Sequence, residues 1–102
     1  MELKALDQPA EGIFALELSG RFDAHEADVF RDAVEQALEG GANRLAITLT
    51  EVVFVDSAAL AELVRGMKRC REKGGDLTLV APSDPVRVIL ELTKLDAAFS
   101  IS

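Results

Sequence analysis

The side chains of this chain that could do chemistry gather at two places where an extended run gives way to a helical one. Phe54-Val55 ends an apolar run at Asp56-Ser57, and an amphipathic helical pattern begins at once. A hydroxyl and a carboxylate there face outward-pointing N–H groups and the positive end of a helix dipole. A serine so placed is either a cap or a site where a phosphate is welcome. Asp23 stands at the other such start, followed by His25, the one histidine. Ser57, His25 and a carboxylate from Asp23 or Asp56 are the residue types of a hydrolytic triad. The chain lacks a G-x-S-x-G elbow, however, and His25 reads as an exposed residue of a first helical turn.

Other chemistries find less support. One cysteine, Cys70, and one histidine make no zinc cluster and no internal disulfide. Asp23, Glu26 and Asp28 lack calcium-loop spacing and read as an acidic helix start. Neither phosphate-binding glycine motif is present, and Gly40-Gly41 and Gly74-Gly75 follow helical runs, so they read as C-caps. No cofactor and no enzymatic activity are expected. Eighteen acidic against eleven basic residues give a formal charge of −7, which argues against nucleic acid and anionic membranes as partners. No apolar run has the length to span a bilayer, so no direct membrane insertion is expected. Met1 to Gln8 shows no signal pattern, and cysteine usage suits a cytoplasmic setting.

The elements that must position Asp23 and Ser57 follow from periodicity. Leu3 to Leu6 predicts a short edge strand, Gln8-Pro9-Ala10-Glu11-Gly12 a turn, and Ile13 to Leu18 a second strand completing a hairpin. Ser19 to Asp23 breaks that strand, with Asp23 as N-cap. Ala27, Phe30, Val34, Ala37 and Leu38 recur at helical spacing over Ala24 to Leu38. Arg44 to Thr50 alternates as a strand, and Glu51 to Asp56 reads as an apolar connection. From Ser57 on, Leu60, Leu63, Val64 and Met67 form one helix face with Cys70 at its edge; Glu62, Arg65, Lys68, Arg69 and Glu72 form the other. Asp76 to Ala81 is a strand. Ser83-Asp84-Pro85 starts a helix continued by Val86, Ile89, Leu90, Leu92, Thr93 and Leu95, and Phe99 to Ile101 adds an edge strand. The 102 residues thus read as one α/β domain, 1–102, of order β-β-α-β-α-β-α-β. A mixed, mostly parallel sheet carries helices mainly on one face.

Gly20-Arg21-Phe22-Asp23, Phe54-Val55-Asp56-Ser57 and the helix Leu60 to Lys73 resemble the STAS domain family, which includes bacterial anti-sigma factor antagonists. The first segment is similar to the family's G-x-[LF]-D turn. The second is similar to its D-S-[ST]-G-[LMV]-[GA] segment, with Ala58 and Ala59 replacing the third and fourth positions. The resemblance covers nearly the whole chain and implies a regulatory binding module. The serine matching Ser57 would be phosphorylated by an anti-sigma factor with serine kinase activity. The unphosphorylated form would bind that factor and free the sigma factor, and a serine phosphatase would reset the cycle. Asp23 and Asp56 would lie near the phosphoacceptor.

A phosphate adds about −1.5 to −2 charges. The helix start would accommodate it within the domain, while like charges facing each other across an interface cost several kcal/mol. Ala58, Ala59, Glu62, Arg65 and Arg69 are the expected docking residues. Ala58 leaves Ser57 the one hydroxyl of its segment, and Ala59 removes a glycine's access to positive φ. The resemblance also allows a STAS accessory subunit that docks on the ATPase of a phospholipid-transport ABC system without cycling through phosphate.

Overall fold

The computed structural model describes residues 1–6 and 12–102; of the turn expected over Gln8 to Gly12, all but Gly12 lies outside them. The elements follow the expected order: β1 Glu2–Ala5, β2 Ile13–Phe22, α1 Ala24–Glu39, β3 Arg44–Val55, α2 Ser57–Glu72, β4 Asp76–Val80, α3 Asp84–Leu92, a 3-10 turn Leu95–Ala97, and β5 Ser100–Ile101. The five strands lie in the sheet in chain order. β1 pairs antiparallel with β2, and every later pair is parallel. Each crossover steps in the same direction, so right-handed connections put the helices on one face.

Strand alternation shows that face. Leu16 and Leu18 of β2, Leu45, Ile47 and Leu49 of β3, and Leu77 and Leu79 of β4 are buried. They join Phe30 and Val34 of α1, Leu63 and Met67 of α2, and Val86 and Leu90 of α3 in one core. The alternate residues Ala46, Thr48, Thr78 and Val80 are only partly covered.

Two expectations about the strands are corrected. Ser19 to Phe22 does not break β2; it continues the strand opposite a longer β3. Glu51 to Val55 is not a connection but the second half of β3. The partner offset grows from Glu17↔Thr48 to Ser19↔Glu51, and again from Gly20↔Val52 to Arg21↔Phe54. β3 therefore carries two extra residues, each a bulge that shifts the alternation by one. Leu49, Val52 and Val55 point inward, a spacing of three that no period-2 reading recovers. Gly20 sits at one of these irregularities with φ +84°, a backbone that residues with a Cβ rarely adopt.

Three more differences concern the helices. α3 ends at Leu92, not Leu95, because Lys94 turns left-handed (φ 61°), and Leu92 is left 75% exposed. Cys70 lies fully inside the core rather than at its edge. Gly75, besides donating its N–H to the Cys70 carbonyl at the end of α2, lets the chain entering β4 pass against Asn43 ahead of β3, since a Cβ there would collide with the Asn43 carbonyl.

Candidate functional site

The C-terminal ends of β2 and β3 lie side by side, and a helix starts from each. Phe22 pairs with Val55, and the Asp56 N–H donates to the Phe22 carbonyl at 3.3 Å. This rung brings the two helix starts together. Asp23 caps α1 from an extended backbone, its Oδ1 accepting the His25 N–H at 3.1 Å. Asp56 caps α2, its Oδ1 accepting the Ala59 N–H at 2.9 Å. The second oxygen of Asp56 crosses to the other helix and accepts the Ala24 N–H at 2.9 Å. One carboxylate therefore closes both helices. The Ala59 amide is the chief cause that holds the Asp56 carboxyl below the usual carboxylate range. Desolvation opposes it, and the amides of Ala24 and Ala58 and the Arg21 charge add to it.

Ser57 is the first residue of α2 and is exposed. The cap is Asp56, so Ser57 is not the N-cap; its hydroxyl is not required to close the helix. Ala58 is half-buried. Ala59 is completely buried, so its side chain lies beneath the surface and offers nothing to a partner. Its backbone is helical, so no positive φ is asked of this position. Among the described residues, no hydrogen bond joins the His25 ring to Ser57 or to either aspartate, and the two Asp56 oxygens are bound to amides. A triad is not assembled.

The expected docking residues of α2 are partly engaged by α1. Arg65 donates to Glu35 Oε1 at 2.9 Å. Arg69 donates to both Glu35 oxygens at 3.1 Å and to Glu72 at 3.3 Å. Arg69 is the chief reason the Glu35 carboxyl sits below its ordinary value, with Arg65 adding to it against desolvation. The two arginines are thus first a clamp between helices, with 40% and 33% of their side-chain surface left exposed. Glu62 is half-buried, and its Oε1 is enclosed without a hydrogen-bond partner.

The sequence reading missed the surface beside Ser57. Val53 is 62% exposed and Phe54 is 37% exposed. The Arg21 guanidinium lies 4.1 Å from the Phe54 ring centroid, and Arg21 Nε is 3.8 Å from Asp23 Oδ2. The usable signal was a charged residue inside the G-x-[LF]-D turn. Its significance depended on Phe54 facing outward, which the bulges decide.

Among the described residues, no group of histidine, cysteine and carboxylate side chains could hold a metal ion. No described helix is long and apolar enough to cross a membrane. What the geometry leaves is an exposed serine on a doubly capped helix junction in a small mixed-sheet domain. The STAS domain model matches residues 6–102, and the chain belongs to that family. The anti-sigma-B factor antagonist of Listeria monocytogenes is 33% identical over 103 residues, covering 99% of this chain and 86% of that one. The anti-sigma F factor antagonist of Paenibacillus polymyxa is 25% identical over 96 residues, covering 93% and 82%. The solved structure of the Bacillus cell fate determinant SpoIIAA in its phosphorylated form superposes with a TM-score of 0.78. At 17% identity it covers 99% of this chain and 91% of that one, and shares the fold.

Proposed function

We propose that this chain is an anti-sigma factor antagonist switched by phosphorylation of Ser57. The observation that carries the reading is the exposed hydroxyl of Ser57 at the first position of α2, free of any capping duty because Asp56 performs it. Relatives named as antagonists of anti-sigma factors support it, as does a fold shared with a protein solved in a phosphorylated form. The unmodified protein binds an anti-sigma factor that is also a serine kinase and thereby releases the sigma factor. A serine phosphatase restores the unmodified state. Asp23 and Asp56 shape the local field, and the docking surface spans Ser57, Ala58 and the exposed parts of Glu62, Arg65 and Arg69.

Phosphate on Ser57 enters a field already made negative by Asp56 and Asp23. Moving a complex from nearly all bound to nearly all free needs about 5.5 kcal/mol of differential binding. A dianion buried against a partner supplies a large part of that through like-charge repulsion and lost solvation. The helix starts do not have to rearrange, because the caps of both helices are built from Asp56 and Asp23. Incubation with the cognate kinase and ATP tests the reading. Mass spectrometry is expected to find one phosphate, on Ser57, and Ser57→Ala to abolish it. An unmodified Ser57, or a Ser57→Asp variant that binds the partner as the wild type does, refutes it.

A further inference from the structure

Asp56 already occupies two of the helix-start amides that would welcome a phosphate. Asp56 holds the N–H of Ala59 with one oxygen and the N–H of Ala24 with the other. A phosphate on Ser57 would therefore stand beside a carboxylate that has taken part of the helix-start amides, and its charge calls for a cation.

The charged groups on the two strand-to-helix junctions themselves are few. Asp56 and Asp23 are anionic caps. The Met1 amino group lies 3.9 Å from Glu26 Oε1. His25 is exposed in the first turn of α1. Arg21 differs from all of these. Its side chain is 63% exposed and held by two weak contacts, the 3.8 Å approach to Asp23 and the stack on Phe54. Its strand position is fixed one rung before Phe22↔Val55, the pair that leads directly into Asp56-Ser57. Its charge already reaches the Asp56 carboxylate.

We propose that Arg21 is the counter-charge of phosphorylated Ser57 and that it leaves the Phe54 ring when the phosphate arrives. The inference rests on the reading of Ser57 as a phosphoacceptor. An arginine–phosphate pair is charge-assisted and can be bidentate. An exposed cation–π stack and a loose surface ion pair are weaker, so the arm changes partner. Phosphorylation then does more than add charge at one serine. It draws Arg21 away and leaves Phe54 uncovered beside the exposed Val53, so the surface presented to the anti-sigma factor changes shape three residues upstream of the modification.

The experiment installs phosphoserine at position 57 during translation, with no kinase involved. Histidine titrates in the same pH range as the phosphate, so His25→Gln is the common background. Phosphorus NMR follows the second ionisation of the phosphate, which falls near pH 6 in the absence of neighbours. Arg21→Ala is expected to raise that midpoint by about 0.5 pH unit or more, with Arg21→Lys in between. The Arg21 Nε–H resonance, shifted by the Phe54 ring in the unmodified protein, is expected to lose that shift in the phosphorylated one. A midpoint unmoved by Arg21→Ala, or an Arg21 resonance unmoved by phosphorylation, overturns the proposal. A kinase that fails to modify Ser57 refutes the phosphoswitch instead and leaves this measurement standing.

Discussion

α1 and α2 are both sixteen residues long, follow parallel strands and begin at adjacent aspartate caps, yet they are built for different work. α1 carries five acidic residues and one arginine; α2 carries two acidic residues and four basic ones. Glu35 of α1 and Arg65 and Arg69 of α2 join them. The first residue of α1 is Ala24, whose amide is tied to Asp56 of the other helix; the first residue of α2 is Ser57, with an exposed hydroxyl. The lesson is that capping and exposure have been separated. Aspartates close the helices, and the serine is left available on one of them alone.

The largest effect expected from this asymmetry is on binding. Ser57→Asp should weaken the proposed complex with an anti-sigma factor by about 10³-fold, the scale of an unpaired like charge at an interface. Ala24→Asp, at the matching position of α1, should change it by far less. Isothermal calorimetry on the two variants decides the matter, and equal losses would show that the two helix starts are equivalent.

Stability should separate the caps next. Asp56→Ala removes one acceptor from each helix, whereas Asp23→Ala removes one from α1. The melting temperature is expected to fall by about 5 °C or more for Asp56→Ala, and by about half as much for Asp23→Ala. Glu35→Gln, which unties the helices while sparing both starts, should cost about 1 kcal/mol in urea denaturation.

Acid should report the same groups. Glu35 and Asp56 have folded-state pKa values below their ordinary 4.5 and 3.8. As pH falls, the unfolded chain takes up these protons first. The stability they contribute is present in full above the unfolded values and is lost as pH drops through the folded ones. Melting temperature against pH in Glu35→Gln should be flatter than wild type on that acid limb.

The smallest effect concerns Cys70, whose thiol is pushed up to about 11, chiefly by burial. An aromatic disulfide reagent at pH 8 should leave it unmodified in the folded protein and titrate it fully in denaturant.

The sequence was a good guide wherever one period ruled a whole element. α1 and α2 present regular apolar stripes between an aspartate start and a glycine end, so their limits and the Asp23 cap were legible; the cap of α2, expected at Ser57, is Asp56. The end of β3 was not, because its inward residues Leu49, Val52 and Val55 follow no strand period. For that reason the exposed Phe54 and its partner Arg21 were invisible, although both letters could be read. The role of Arg65 and Arg69 was hidden for another reason. A helical face rich in charge looks solvated until the neighbouring helix supplies Glu35.

Each bulge sets two residues of β3 against one of β2, so the twelve residues of β3 span the same rungs as the ten of β2 with two to spare. Loss of one spare residue would close its bulge and leave Val55 opposite Phe22, so Asp56-Ser57 would keep its place. The position of the serine is therefore set by the last rung with β2 and by the Asp56 cap, and not by the number of residues that β3 spends in reaching them.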